Sequence, residues 1–378
     1  MKVLQINPYP PEHLGGSEIF CKNLAISLKK YKQIQSEILT SDIFKERIKT
    51  KFIEGSIKVY YQKFYFNFWG KNPVVNVYPF IKKNYQNYDI LHAHSYIFFS
   101  SLQSAYLRKV RKFPLVLHIH GGVQTPLDVS SSISEYFQLI WKGFFFDKIF
   151  GKFTIENSDA IISVSKRDLE LLKKRYDLSD TAKYHIPNAV DTTKFKKDAN
   201  SIPEYITFIG RLSYIKGFDI FIKLIQELYN RNKQLKFLII GKGPLYHLLT
   251  KIDRAIPITY YESIPYEDIQ KIYNLSKLLV LTSRFEGVPT SILESLACET
   301  PVIAPDVGGV SEILKSKING LIYDLNNYEK IIDIILNLLS DKEKCNKFGR
   351  EGRKNIERNF SWQKITNDIE KVYLELLK

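Results

Sequence analysis

The chain has 378 residues, of which 44% are hydrophobic and 25% charged. That is a globular composition with material for two cores, and no run of about 18 apolar residues points to a membrane-spanning helix. The formal net charge is +15, with 30 Lys/Arg against 18 Asp/Glu in residues 1–200 and 25 against 22 in residues 201–378. A basic first half suits nucleic acid, an anionic membrane face or an acidic substrate. Cys21, Cys298 and Cys345 have neither disulfide nor metal-ligand spacing, so a reducing, cytoplasmic setting is expected. The N-terminus reads as a first strand and not as a signal peptide.

Strands and helices alternate along the whole chain, which predicts an α/β fold with parallel sheets. Lys2–Ile6 is strand-like, the turn Leu14-Gly15-Gly16-Ser17 follows, and a helix with apolar Ile19, Leu24, Ile26 and Leu28 comes next. Further strands are predicted at Ser36–Thr40, Ile57–Tyr61, Ile90–His92, Leu115–His120, Ala160–Val164 and Lys183–Ile186. The polar, lysine-rich segment from Asp191 to Pro203 reads as a linker. The alternation then resumes: strand Tyr205–Ile209, helix Asp219–Asn230, strand Leu235–Ile240, strand Thr259–Tyr261, helix Tyr266–Leu275, strand Leu278–Thr282, helix Thr290–Cys298, strand Pro301–Ala304, and closing helices from Tyr328. The expected architecture is two doubly wound, Rossmann-like domains facing across a cleft, 1–198 and 199–360, with ligands in that cleft.

Two carboxylates stand out. Glu286 falls in a loop just after a strand, broken by Gly287 and Pro289, and Glu294 falls on the next helix. A strand-end loop and the helix behind it can present both acids to one ligand. A phosphate-binding candidate is Gly210-Arg211-Leu212-Ser213-Tyr214-Ile215-Lys216-Gly217: Gly210 permits a tight turn, Arg211 offers a planar fork, and Lys216 adds a point charge before a helix N-terminus. Two more glycine turns follow strands, at Gly241-Lys242-Gly243 and Gly308-Gly309.

Together these segments resemble the retaining glycosyltransferases of family 4 (glycosyl transferases group 1), which have the GT-B fold. The likeness runs through Gly15-Gly16-Ser17-Glu18, Asp89 to His94, His118-Ile119-His120-Gly121, Pro187-Asn188, Gly210-Arg211 with Lys216, Glu286 to Glu294, Gly308-Gly309, Asn319-Gly320 and Phe360-Ser361-Trp362. Ala189 and Glu299 stand where the family usually has glycine, and Val288-Pro289 replaces a more usual Phe-Gly.

The resemblance implies a hexosyltransferase-type enzyme with a nucleotide-sugar donor. Arg211 and Lys216 would clamp the diphosphate, Glu286 would hold sugar hydroxyls, Glu294 would accept from the ribose, and His120 would bond the sugar or the reacting groups. The backbone at Gly15, Gly16, Gly210, Gly241 and Gly287 would approach the donor. The anomeric configuration would be retained. No cofactor and no metal are expected, since the chain has no Asp-x-Asp and two cations can neutralise the diphosphate. His92, His94 and His118 are read as structural or acceptor-side residues. The helix 361–378 is expected to cross back onto the first domain.

In this fold the first domain takes the acceptor, here a lipid-linked glycan or a precursor of cell-surface polysaccharide biosynthesis. Its aromatic, lysine-bearing stretches at residues 60–71 and 136–150 suit peripheral contact with an anionic membrane, at the inner face of the cytoplasmic membrane. The second stretch is apolar nearly all round and fits buried packing equally well. Two rivals remain from the sequence: a nucleotide-sugar isomerase of similar architecture, and a basic nucleic-acid or anionic-surface binder without catalysis. No nucleic-acid recognition motif is present, so no nucleic-acid partner is expected.

Overall fold

Short β-branched and aliphatic runs, flanked by helices, form strands buried on both faces, as parallel sheets require. The computed structural model describes residues 1–378 except Leu14, Arg47, Gly55, residues 69–71, Thr125, Asp128, Val129, Ser131 and the side chains of Tyr328 and Glu329. Leu14 of the predicted glycine turn and Trp69-Gly70-Lys71 of the first aromatic stretch therefore lie outside the described residues. The chain forms two units, one of Met1–Gln124, Phe137–Asn188 and Trp362–Lys378, the other of Thr125–Tyr136 and Ala189–Ser361.

The first unit holds β1 (Lys2–Ile6), β2 (Gln35–Ser41), β3 (Thr50–Ile53), β4 (Ile57–Gln62), β5 (Phe64–Phe68), β6 (Asn72–Val75), β7 (Ile90–His94), β8 (Leu115–Ile119), β9 (Ala160–Ser163) and β10 (Ala182–His185). Its sheet runs β10-β9-β8-β7-β1-β2-β4-β3, with β5 and β6 forming a separate hairpin. The pairs are parallel except β3 on β4. The order reverses at β1, between β2 and β7, so the loops after β1 and β7 leave in opposite directions and open a crevice at the strand ends.

The second unit holds β11 (Tyr205–Ile209), β12 (Lys236–Ile240), β13 (Ile258–Tyr261), β14 (Ser276–Val280), β15 (Val302–Pro305) and β16 (Leu321–Tyr323). Every pair is parallel, in the order β13-β12-β11-β14-β15-β16. Counted within the unit this is 3-2-1-4-5-6, the doubly wound dinucleotide-binding order, and its switch point lies between β11 and β14. The core includes Phe208, Phe218, Phe221, Phe237, Ile239, Leu278 and Ile303.

The segment 191–203 is not a loose linker. Phe195 is fully buried and packs edge-on against Tyr266 and Tyr273. Arg353 donates to the carbonyls of Thr192 and Phe195, and Asn274 accepts from the Asp198 amide. A polar composition hid one aromatic anchor and a set of backbone acceptors for a distant arginine. The predicted helix from Tyr266 also begins later, at Ile269.

Glu299 has φ +59°, a left-handed conformation that costs an L-residue about 1–2 kcal/mol. Its carbonyl is crowded too, since a Cβ on Gly349 would lie 2.1 Å from it. Its side chain pairs with Lys197 at 3.0 Å, an exposed contact of small value. Glu299→Gly is therefore expected to raise the melting temperature by a few degrees, and a fall would show that the ion pair outweighs the backbone strain.

Candidate functional site at the switch point of the second unit

The two loops that leave the switch point are laced together. Gly217 has φ +63° and caps the helix Phe218–Arg231. A Cβ there would lie 1.8 Å from the Thr282 carbonyl oxygen, so only glycine lets the 210–217 loop reach the 282–286 loop. Thr282 Oγ1 donates to the Gly217 carbonyl at 2.8 Å, and the Arg284 amide donates to the Ile215 carbonyl at 2.8 Å. Arg284 grips Asp219 with two 2.7 Å bonds and lies 3.7 Å over the Tyr214 ring.

Across this seam Lys216 Nζ reaches both oxygens of Glu286 at 2.7 Å. Ser283 Oγ donates to Glu286 Oε1 at 2.6 Å. The Glu286 side chain is 6% exposed and that of Lys216 is 35% exposed, so an almost buried carboxylate faces a cation still open to a ligand. Arg211 is exposed and makes no side-chain bond among the described residues. Three features for an anion thus share the C-terminal end of β11: a free guanidinium, an ammonium and the N-terminus of a 14-residue helix.

The other glycine turns explain themselves by close approach. A Cβ on Gly241 would lie 1.9 Å from the Gly210 carbonyl oxygen, and one on Gly243 2.3 Å from that of Leu212. Gly308 has φ +57°, and a Cβ on it would lie 1.9 Å from the Glu286 carbonyl oxygen. The Gly309 amide donates to the Gly287 carbonyl at 2.6 Å.

Glu294 has different partners from Glu286. On the helix Thr290–Ala297 it accepts from the Tyr273 hydroxyl at 2.7 Å and the Tyr266 hydroxyl at 3.3 Å. Burial pushes its carboxyl up to about 7, against the lowering effect of both hydroxyls and of the Lys194 charge. The unfolded acid titrates near 4.5, so the folded state keeps the proton to higher pH, and stability is lost as pH rises from that value through 7. The Glu294→Gln variant is therefore expected to become more stable relative to the wild type as pH rises from 5 to 8, by on the order of 2 kcal/mol at the upper end, read as a widening gap in melting temperature. A gap between the two proteins that does not change with pH would refute the shifted carboxyl.

In the first unit, Gly15 precedes the helix Gly16–Lys32. A Cβ on Gly15 would collide with the Glu18 carboxylate, whereas one on Gly16 would meet nothing within 4 Å. Glu18 is held by His13 Nδ1 and Ser17 Oγ, each at 2.5 Å. His92, His94 and His118 are fully buried, and His120 follows β8 with partial exposure. The four rings stack, with neighbouring planes 7° to 17° apart. Burial lowers all four well below the ordinary histidine range, His92 and His120 to about 3. Ligand atoms of His92, His94 and His118 lie within 4.8 Å of one another. Near-parallel rings set nitrogens side by side instead of aiming them at one ion, a geometry that suits hydrogen bonding better than tetrahedral coordination.

The aromatic stretch divides. Phe146 is buried and Trp141 and Phe150 pack against the core, while Phe144, Phe145 and Ile149 are exposed, as are Tyr65 and Phe66. Among the described residues no helix is long and apolar enough to cross a membrane. A cavity of about 810 Å³ in the second unit is lined by Tyr214, Arg284, Asp306 and Tyr323 among others, and not by Arg211, Lys216, Glu286 or Glu294.

Ser283, Asp219 and the two tyrosines on Glu294 were not picked out from the sequence. Ser283 is three positions from Glu286 and was within reach of a motif argument, whereas Asp219 and Tyr273 meet their partners only through the fold.

Residues 14–194 match the family described as Glycosyltransferase Family 4, and residues 190–355 match Glycosyl transferases group 1. An uncharacterised glycosyltransferase of Methanocaldococcus jannaschii is 30% identical, the alignment covering 100% of this chain and 99% of that protein. Among solved structures, a sucrose-phosphate synthase from Thermosynechococcus elongatus superposes with a TM-score of 0.81 at 18% identity, covering 99% of this chain and 98% of the other. The Anabaena protein HepE in complex with UDP-glucose superposes with a TM-score of 0.74 at 16% identity, covering 99% and 100%. Both likenesses are likenesses of fold, and with the two parallel sheets they make the architecture GT-B. The chain belongs to the family 4, group 1 glycosyltransferases.

Proposed function

We propose that the chain transfers a sugar from a nucleoside-diphosphate sugar to a hydroxyl acceptor, with retention of anomeric configuration and without a metal. The observation that carries this reading is the Lys216–Glu286 pair at the switch point beside the unpaired Arg211. Arg211 and Lys216 meet the diphosphate at the start of the helix Phe218–Arg231 and stabilise the charge that grows as the nucleoside diphosphate leaves. A carboxylate has about four acceptor positions, and Lys216 and Ser283 use three, so Glu286 keeps one, on Oε2, for a sugar hydroxyl. Glu294 accepts from the ribose. The backbones of Gly15, Gly16, Gly210, Gly241 and Gly287 leave room for the donor, and His120 bonds a sugar hydroxyl.

The binding half of this reading is tested by thermal melting against a panel of nucleoside diphosphates and their sugars, with and without chelator. A ligand that binds only the native state raises the melting temperature. The UDP-glucose held by one structural relative makes uridine the first base to try. Selective, chelator-insensitive stabilisation is expected; no stabilisation by any member sinks the donor site, and stabilisation that the chelator abolishes sinks metal independence. Release of nucleoside diphosphate that depends on acceptor separates transfer from isomerisation.

The acceptor is a lipid-linked glycan or polysaccharide precursor reached from the cytoplasmic face of a membrane. Exposed Phe144, Phe145 and Ile149, with Lys148 over the Phe144 ring at 5.1 Å, support peripheral contact with anionic lipid. Flotation with anionic and with neutral liposomes at low salt decides it: no binding to the anionic vesicles removes the membrane from the proposal.

A further inference from the structure

The histidine stack has a direction. On β1 and β7, Gln5 stands opposite His92 in the sheet register, and on β7 and β8, His94 stands opposite His118. Gln5, His94 and His120 form one hydrogen-bonded row: His94 Nε2 lies 2.8 Å from Gln5 Oε1, and His94 Nδ1 lies 2.9 Å from His120 Nε2. An amide oxygen can only accept, so His94 carries its hydrogen on Nε2. A neutral imidazole has one N–H, so His94 Nδ1 is bare and must accept from His120 Nε2. His120 therefore carries its own hydrogen on Nε2 and has a bare Nδ1, which makes no bond among the described residues. Charging any ring would place a cation against stacked neighbours 4.5 to 5.2 Å away in a buried row, which favours the neutral forms. Phe20 packs edge-on to His118 and His120 at 4.8 and 5.0 Å and holds the rings in plane.

We propose that Gln5 and His94 are positioning residues that fix His120 as the Nε2–H tautomer, so that it offers Nδ1 as an acceptor for a ligand hydroxyl. This rests on the reading of His120 as a sugar contact. Its consequence is a specificity rule. The position facing His120 takes a sugar bearing a free O–H, and a deoxy or O-methyl sugar loses the bond because neither has a hydrogen to donate there. An Nδ1–H tautomer would instead accept O-methyl sugars, since an ether oxygen can still receive a hydrogen bond.

The tautomer is read directly, without activity, by long-range nitrogen–proton correlation spectra of the full chain labelled with 15N-histidine. A His120→Asn spectrum assigns the signals. The wild type is expected to show a protonated Nε2 and a bare Nδ1 on His120, unchanged from pH 6 to 8. A hydrogen on Nδ1 would mean that the Gln5 amide is turned and the row runs the other way, which overturns the proposal. Gln5→Leu removes the acceptor and is expected to give a mixture of tautomers. A single unchanged tautomer in Gln5→Leu also overturns it. With the donor selected by melting, Gln5→Leu is expected to raise KM about tenfold, one neutral hydrogen bond, with kcat within a factor of about two. If the tautomer shifts while KM stays at the wild-type value, the row is real but the sugar contact of His120 is wrong.

Discussion

Lys216→Ala is expected to lower turnover by about a hundredfold, the loss typical of one donor that stabilises a developing anion. The same change acts on the fold. Glu286 is nearly buried, and Lys216 is its only cationic partner among the described residues, both oxygens being held at 2.7 Å. Breaking a fully buried pair costs about 3–5 kcal/mol, because the remaining charge is stranded. Here the ammonium is 35% exposed and water can reach the carboxylate once it is gone, so about 1–2 kcal/mol is the expected loss. A second substitution separates the two effects. Glu286→Gln in the Lys216→Ala background removes the stranded charge, keeps the bond from Ser283, and is expected to restore most of the melting temperature while turnover stays low. Wild-type turnover in Lys216→Ala would refute the role in diphosphate stabilisation. A double variant no more stable than Lys216→Ala would show that the stability loss has another origin.

The strand pattern was legible because parallel strands are buried on both faces and write themselves as unbroken apolar runs. All strands predicted from such runs were found within about two residues, since local hydrophobicity decides them with little help from the rest of the fold. The edge strand Thr50–Ile53 and the hairpin of Phe64–Phe68 with Asn72–Val75 were not seen, because their short, mixed composition carries no such signal. Pairs of residues far apart in sequence were invisible for another reason. Nothing local in Lys216 announces Glu286, 70 positions on, and nothing in His92 announces the Tyr373 hydroxyl 2.5 Å from it. What the motifs did provide was the list of positions where glycine, arginine or glutamate is chemically required. The register of the sheet then decided which of them meet. Glu299 is the informative exception: a glycine was missed there by comparison with the family pattern, and the left-handed φ shows what that glycine would have supplied.

Gly308→Ala is expected to be among the most damaging single changes in the second unit, although Gly308 bears no functional group. Its φ of +57° already costs an alanine about 1–2 kcal/mol. The new Cβ would also sit 1.9 Å from the Glu286 carbonyl oxygen and 2.8 Å from that of Gly287, both backbone atoms with no rotamer to yield. Relief requires the loop carrying Glu286 to move, and that loop is tied to its neighbours by the Gly309 amide and by Lys216. The summed loss is expected to be on the order of 3 kcal/mol or more, with a matching drop in melting temperature. Because the displaced segment holds the carboxylate that faces the sugar, the stabilisation given by a nucleotide sugar should fall more than that given by the bare nucleoside diphosphate. Gly16→Ala is the matched control, since its Cβ would meet nothing within 4 Å and the free protein should melt as the wild type does. Equal melting temperatures for Gly308→Ala and the wild type would mean that the two loops are not locked together, and would remove the packing explanation for the glycine pair.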